Sequence, residues 1–167
     1  YEIMPSLVGS EMCIRDRPYP LLILPNANLT YTIQPEAYTN MNAIEFINDE
    51  YISWDVTYYM NGLILNRLPL IKKLKWREVL CFRGLWGHLT DKNNPFKSNN
   101  PDLFRFPTRD GKFTSFVMDP KVPYIEGSIG IYNIFKLLHV EYVHRFTYRD
   151  NPGINKNGIR FMVLMVF

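Results

Sequence analysis

A two-residue alternation of apolar and polar side chains runs through the stretch from Tyr51 to Ile64. Ile52 and Val56 fall on one side of this stretch, and Asp55 and Thr57 fall on the other. Because side chains along a β-strand point to the two faces of a sheet in turn, the alternation predicts a strand with one apolar and one polar face. The stretch is also longer than the roughly five or six residues of a typical strand.

Further alternating stretches lie along the chain, and together they predict an all-β protein in which about six long strands form an antiparallel meander. Most of them reach the roughly nine to eleven residues that a tilted strand needs to cross a bilayer. Since membrane barrels contain at least about eight strands, these strands should form an open, C-terminal segment of a larger transmembrane β-barrel, with two unpaired edges. The predicted strands are Met41–Ile47, Tyr51–Ile64, Trp76–Leu89, Tyr124–Asn133, His139–Arg149 and Gly158–Phe167.

The connections between these strands are of two kinds. Thr90–Pro123 and Asp150–Asn157 are long and polar, whereas Asn66–Lys75 and Ile134–Leu138 are short, apolar and basic. Outer-membrane barrels have long loops on the cell surface and short turns in the periplasm. The pattern therefore predicts that the loop 90–123 is exposed at the cell surface and that any surface ligand binds through it. The residues expected to make such contacts are Phe104, Arg105, Phe106 and Arg109.

The alternation also assigns side chains to the two faces of the predicted sheet. The face expected to meet lipid carries Ile52, Trp54, Val56, Tyr58, Ile125, Ile129, Ile131, Val140, Tyr142 and Phe146. The face expected to line the barrel interior carries Asp55, Arg83, Glu126, Glu141, Arg145 and Arg149. A soluble antiparallel β-sheet binding module is the alternative, because it has the same alternation with its apolar face in a closed core.

The first residues of the chain require a separate interpretation. Leu7 to Arg17 reads LVGSEMCIRDR, and this run looks like the translation of a sequencing adapter. Residues that are foreign to a protein should be excluded from reasoning about its fold. We therefore expect residues 1–17 to be a non-native arm that packs poorly, and residues 18–167 to be the C-terminal part of an outer-membrane β-barrel domain whose gene is truncated near Pro18.

Charge, cysteine and histidine content argue against several other classes. The chain has 19 basic and 16 acidic residues, and the basic ones form no groove of the kind that binds nucleic acid. Cys81 has no cysteine partner outside the adapter-like run, so neither a disulfide framework nor a cysteine metal site is expected. His139 and His144 are five positions apart, an odd number, and would face opposite sides of one strand. We therefore expect no metal, no cofactor, no nucleic-acid partner and no enzymatic activity.

Two groups of charged residues have both a functional and a structural interpretation. Asp55, Glu126 and Glu141 could act in acid–base chemistry, but opposite charges inside a barrel usually pair across strands. The basic cluster between Lys72 and Arg77 could contact anionic headgroups or a periplasmic partner, or it could be a solvated turn. The carboxylates are therefore expected to be structural, and the role of the basic cluster stays open.

Four stretches of the chain resemble a family of Bacteroidetes outer-membrane β-barrel proteins of unknown function, whose members often carry a carboxypeptidase-regulatory-like domain ahead of the barrel. This resemblance implies a location in the bacterial outer membrane, with outer-membrane lipid and the barrel-assembly machinery as partners. It implies no catalytic chemistry. The first stretch is Pro18–Leu22 with Met41–Asn42 and Glu45–Phe46, and the second is Asn61–Gly62 with Leu65–Val79. The third is Pro123–Glu126 with Gly130–Lys136, and the fourth is Arg145–Pro152 with Gly158–Phe167.

The end of the chain resembles an outer-membrane protein in one further respect. Barrels of this kind commonly end in an aromatic residue that the assembly machinery recognises, and this chain ends in Phe167. The resemblance therefore implies a membrane-assembly signal formed by residues that share one face of the last strand. These residues are Phe161, Val163, Met165 and Phe167.

Overall fold

The structure is a computed structural model that describes residues 2–6, 24–69, 71–97, 103 and 105–163. Its fold is all-β, built on one antiparallel sheet in the order β1-β2-β3-β6-β7-β8, while β4 and β5 form a small hairpin. Strands β1 and β8 lie at the two edges, and no pairing joins them within the described residues, so the sheet is open. The strands are β1 (Glu2–Ser6), β2 (Glu50–Tyr59), β3 (Arg77–His88), β4 (Thr108–Arg109), β5 (Lys112–Phe113), β6 (Tyr124–Ile134), β7 (Leu138–Arg145) and β8 (Asn157–Val163).

The antiparallel meander predicted from the sequence is confirmed for five of its six strands, which correspond to β2, β3, β6, β7 and β8. The sixth prediction, a strand at Met41–Ile47, is wrong because this stretch is irregular. Phe46 and Ile47 are adjacent and both fully buried, which a strand with one solvated face does not allow. Glu2–Ser6, which belongs to the expected arm, pairs with β2 as an edge strand; residues 7–23 lie outside the described residues.

The long and short connections lie at opposite ends of the sheet, as predicted. At one end the chain forms two short 3₁₀ helices, Leu65–Arg67 and Ile71–Leu74, between β2 and β3, and a tight turn between β6 and β7. At the other end lie the connection from β3 to β6, which contains the β4–β5 hairpin, and the connection from β7 to β8. None of the helices in the described part of the chain is long and apolar enough to cross a membrane.

One face of the sheet is covered by residues 24–49, which we call the cover segment. It contains no strand and is joined to the rest of the protein by isolated bridges, one of which pairs Phe46 with Phe116. Its apolar side chains pack on those of β3, β6 and the long connection. The central cluster consists of Tyr38, Met41, Phe46, Leu85, Met118 and Tyr124.

The cover segment also reaches the edge of the sheet at β8. The amide of Phe161 donates to the carbonyl of Tyr31, and the amide of Ile33 donates to the carbonyl of Phe161. The expectation that the last strand leaves an unpaired edge is therefore wrong at this point. The cover segment occupies hydrogen-bonding groups that would otherwise be available for pairing with another strand.

No described part of the chain covers the opposite face of the sheet, which we call the uncovered face, and large apolar side chains project from it. Strand register places Val56 beside Phe82 and Leu80 beside Ile129, so these side chains form continuous rows across neighbouring strands. Phe161 and Val163 of the predicted assembly signal lie on this face, whereas Met165 and Phe167 lie outside the described residues. The exposed large apolar side chains of this face, on the strands and just beyond β7, are Ile52, Val56, Leu80, Phe82, Ile129, Tyr142, Phe146, Ile159, Phe161 and Val163.

Candidate functional site

A buried cluster of charged residues lies between the sheet and the cover segment, and its centre is Arg145 at the end of β7. The Nη1 and Nη2 atoms of Arg145 donate to the two carboxylate oxygens of Glu45 at 2.9 and 2.6 Å. Both side chains are fully buried, with 0% exposure. A bidentate pair of this kind is the strongest geometry available to an arginine and a carboxylate.

Arg145 has no unused donor in this arrangement. Besides its two bonds to Glu45, it donates to the carbonyl oxygens of Asn40, Thr147 and Tyr148. A guanidinium group has five N–H donors, and each of them has an acceptor here. The cation therefore holds the cover segment and the connection after β7 in a single arrangement.

Glu126 on β6 is the second charged group of the cluster. Its carboxylate accepts hydrogen bonds from the backbone amides of Thr39 and Asn40 and from the hydroxyl of Tyr124. Glu126 is directly opposite Arg145 in the pairing of β6 with β7. The carboxylate thus fixes the backbone of the cover segment at the point where it crosses the sheet.

Arg83 and Asp55 form a third charged contact on the same face. Their side chains pair across β2 and β3 at 2.5 Å, and Arg83 also donates to the carbonyl of Ala37. On β8, Arg160 donates to the carbonyl of Thr39. Side chains from β3, β6, β7 and β8 therefore bind the same short part of the cover segment.

Tyr38 connects this cluster to the apolar core. Its hydroxyl donates to the carbonyl of Gly84 at 2.9 Å, and its ring makes an edge contact with Tyr124. Burial raises the pKa of the Tyr38 hydroxyl, and the nearby carboxylate of Glu126 acts in the same direction. The phenol is therefore held in its neutral, hydrogen-bonded form.

A cavity of about 400 Å³ opens beside the cluster, between the cover segment and strands β2 and β3. This volume lies within the range of small-molecule sites. Its walls are mostly aromatic and aliphatic, and its charged groups include the paired Asp55 and Arg83. The lining residues include Leu24, Pro25, Pro35, Tyr38, Tyr51 and Leu85.

Residues 28–97 match a family model described as "Family of unknown function (DUF5686) C-terminal domain". No curated protein matches the chain, and no solved structure matches it either. The matched span contains Glu45, Asp55 and Arg83, whereas Glu126 and Arg145 lie beyond it. The buried cluster therefore joins the part of the chain that resembles this family to the part that follows.

The structure brings together most of the charged residues that the sequence assigns to the interior. Asp55, Arg83, Glu126 and Arg145 all lie on the covered face, and Glu141 accepts a hydrogen bond from Ser128 there. Arg149 is an exception, because β7 ends at Arg145 and Arg149 is exposed in the following connection. Asp55 pairs with Arg83 across two strands, as expected, whereas Glu126 and Glu141 accept hydrogen bonds from uncharged groups.

Glu45 is the member of the cluster that the sequence did not reveal. It lies in the apolar run Ala43–Ile47, and a lone carboxylate in such a run is a sign of a buried group that needs a cation. The identity of that cation depends on tertiary structure, because Arg145 lies 100 residues further along the chain.

The long loop differs from its prediction in one respect. Phe106 was expected to be available to a surface ligand, but it is buried against Ile47 and Leu89. Arg105 and Arg109 are exposed, and Phe104 lies outside the described residues. Among the described residues of this loop, the exposed aromatic side chains are Phe96 and Phe113, whose rings contact each other.

Proposed function

We propose that this sheet is a section of an integral outer-membrane β-barrel protein, with its uncovered face against lipid and the cover segment inside the barrel. The main support is the orientation of the sheet. Antiparallel sheets in water place their apolar face in the core and their polar face in solvent. Here the face with the paired charges is covered, and the face with the large apolar side chains is not.

The composition of the uncovered face supports the same conclusion. Along β3, alternation assigns Leu80, Phe82, Gly84 and Trp86 to the middle of this face, with Glu78 and His88 at the two ends of the row. The row therefore contains no charged group in its middle, where a charge facing lipid would cost roughly 2–4 kcal/mol. Continuous apolar patches of more than a few hundred Å² are rare on monomeric soluble proteins.

Strand length is also suitable for a membrane barrel. Strands β2, β3 and β6 contain 10, 12 and 11 residues, and a tilted strand crosses a bilayer in roughly nine to eleven. In this proposal the short connections face the periplasm and the long ones face the cell exterior. Outer-membrane lipid and the barrel-assembly machinery are the proposed partners.

The buried cluster is proposed to be structural and not catalytic. Arg145, Glu45 and Glu126 are all occupied by hydrogen bonds within the protein, which leaves no ionised group free to act on a substrate. Their arrangement holds the cover segment against the interior face of the sheet. The proposed protein is therefore a barrel section with its own internal cover, and no activity is assigned to it.

Site-directed spin labelling tests the proposed orientation. The whole gene product, with its native cysteines replaced by serine, would be reconstituted in phosphatidylcholine bilayers with a single label in place of Ile52, Val56 or Ile129. Labels at these positions should collide often with dissolved oxygen, which concentrates in lipid, and seldom with a water-soluble nickel chelate. A label in place of Ser53 provides the control, because this residue belongs to the other face of β2.

The alternative, a soluble β-sheet binding module, predicts a different result. In that case the protein would not remain with the bilayers on flotation, and labels at Ile52 and Ile129 would be either buried in a core or accessible to the nickel chelate. Either observation would overturn the membrane proposal.

A further inference from the structure

The end of the sheet with the short connections carries an unusual concentration of positive charge. Six basic side chains are exposed there, and we call them the basic rim. They come from the connection between β2 and β3, from the start of β3 and from the turn after β6. The basic rim consists of Arg67, Lys72, Lys73, Lys75, Arg77 and Lys136.

The two connections that carry the basic rim are adjacent in space. The side-chain amide of Asn133 donates to the carbonyl of Lys75 at 2.7 Å, and the hydroxyl of Tyr132 donates to the side chain of Asn61 at 2.7 Å. Arg77 is directly opposite Tyr132 in the strand pairing. The basic residues therefore form one surface even though they come from two parts of the sequence.

Acidic residues are few at this end of the sheet, where β1 places Glu2 opposite Tyr59. The stretches 60–76 and 132–139 contain no aspartate or glutamate. Glu78 is the nearest carboxylate along the chain, and it is occupied by the backbone amides of Ile64 and Leu65. Among the described residues, no carboxylate forms a salt bridge with the basic rim.

The connections at the opposite end have mixed charge. Lys97 there forms an exposed ion pair with Asp91 at 2.8 Å, and Arg109 and Lys112 flank Asp110 in the β4–β5 hairpin. The long connections also contain more basic than acidic residues, but there the two signs are interspersed, whereas the short connections contain no acidic residue.

Exposed apolar side chains lie among the basic ones. Phe135 has 77% of its surface exposed, the highest value among the large apolar side chains of the described residues. A surface that combines cations with protruding apolar groups is suited to a membrane interface, where phosphates and acyl chains meet. The exposed large apolar side chains of the described short connections are Ile64, Leu68, Leu74, Phe135 and Leu137.

We infer that the basic rim binds the headgroups of anionic phospholipids in the leaflet next to the short connections. The inference rests on the proposed function, because that function brings this end of the sheet to a membrane surface. Lysine and arginine side chains pair with the lipid phosphates, while Phe135 and its apolar neighbours enter the adjoining acyl region. The uncovered face of the sheet continues directly into this surface, so one lipid can contact both.

Electron paramagnetic resonance of spin-labelled lipids tests this inference. The whole gene product would be reconstituted in phosphatidylcholine bilayers that contain a trace of spin-labelled phosphatidylglycerol or spin-labelled phosphatidylcholine. The motionally restricted fraction of each probe measures its association with the protein. Phosphatidylglycerol should associate with the protein roughly fivefold more strongly than phosphatidylcholine does. This is the difference expected from about one extra interaction between a basic residue and an anionic lipid.

A triple variant, Lys72→Gln, Lys73→Gln and Lys75→Gln, should lose most of this preference. The matched control removes three exposed lysines from the other end of the sheet through Lys112→Gln, Lys121→Gln and Lys156→Gln, and it should keep the preference.

Salt provides a measurement that needs no variant. At about 1 M salt the screening length falls to roughly 3 Å, and the unmodified protein should no longer distinguish the two lipids.

The possible failures are distinguishable. If neither probe shows a restricted fraction, the sheet does not contact lipid and the proposed function fails. If both probes are restricted equally at low salt, or if the two triple variants lose the preference equally, the sheet contacts lipid but the basic rim does not select anionic headgroups. That result would overturn the inference and leave the proposed function standing.

Discussion

Arg145 and Glu45 form a fully buried, bidentate ion pair that joins strand β7 to the cover segment. The pair is part of a set in which every donor of the guanidinium has an acceptor. The pair therefore holds the cover segment against the sheet, and breaking it tests how much this contact stabilises the protein.

Replacement of Glu45 by glutamine should strongly destabilise the protein. Removing one partner of a buried pair leaves the other charge uncompensated, which typically costs about 3–5 kcal/mol. The double replacement Glu45→Leu with Arg145→Met should cost less than the single one, because neither charge of the pair remains. The free energy of unfolding, measured with urea in detergent or bilayers, checks both expectations.

The exposed pair Lys97–Asp91 provides the control for this experiment. Its side chains are 60% and 71% exposed, and pairs of this kind contribute at most about 1 kcal/mol. If Glu45→Gln lowers the free energy of unfolding no more than Asp91→Asn does, the buried pair does not have the role described here.

Gly84 and Trp54 should be coupled, because they lie opposite each other on β3 and β2 and the indole ring lies over the glycine. A Cβ atom added at Gly84 would come within 2.1 Å of the Trp54 ring. Gly84→Ala should therefore destabilise the protein by roughly 1–3 kcal/mol through overpacking. In a protein that already carries Trp54→Leu, Gly84→Ala should change the free energy of unfolding little. If the two substitutions instead lower the free energy of unfolding additively, Gly84 and Trp54 are not in contact.

Val56 and Thr57 are adjacent on β2 but belong to opposite faces, so they should respond differently to arginine. Val56→Arg places a charge on the face proposed to meet lipid, at a cost of roughly 2–4 kcal/mol near the membrane midplane. Thr57→Arg places it on the covered face, where Asp55 is close. The amount of folded protein in the outer-membrane fraction should fall much further for the first variant; equal amounts of both would argue against the assigned faces.

Tyr38 should make the stability of the protein depend on pH in the alkaline range. Because burial raises its pKa in the folded state above the ordinary value near 10, the unfolded chain loses this proton first as the pH increases. The stabilisation from the neutral hydroxyl is thus complete below about pH 10 and is lost as the pH approaches the folded-state value.

Unfolding experiments between about pH 8 and pH 11 can isolate this contribution. The unmodified protein should lose stability more steeply above pH 10 than Tyr38→Phe does. At neutral pH the same variant should be destabilised by roughly 1 kcal/mol, since it lacks the hydrogen bond to the carbonyl of Gly84. Parallel pH profiles for the two proteins would show that Tyr38 is not the group responsible.

The two ends of the sheet should differ in their accessibility to protease. Arg109 and Lys112 flank the exposed tip of the β4–β5 hairpin, so trypsin added to intact cells should cut within the long connection. The basic rim should be cut only after the outer membrane has been opened. Cleavage at the rim in intact cells, with the hairpin protected, would reverse the proposed topology.

Much of the sheet could be predicted from the sequence because the signals for it are local. The alternation along Tyr51–Ile64 and the later stretches identifies five strands and the face to which most of their side chains belong, since a side chain's face follows from its position in the strand. The contrast between short basic and long polar connections likewise predicts which connections share an end.

The cover segment and the buried cluster could not be predicted in this way, because they depend on contacts between distant parts of the chain. Met41–Ile47 has the composition of a strand, but it is enclosed by protein on more than one side, and adjacent residues such as Phe46 and Ile47 are both buried. Glu45 finds its cation 100 residues away. Only tertiary structure decides such pairings, because burying a charge is favourable only where the fold brings its partner into place.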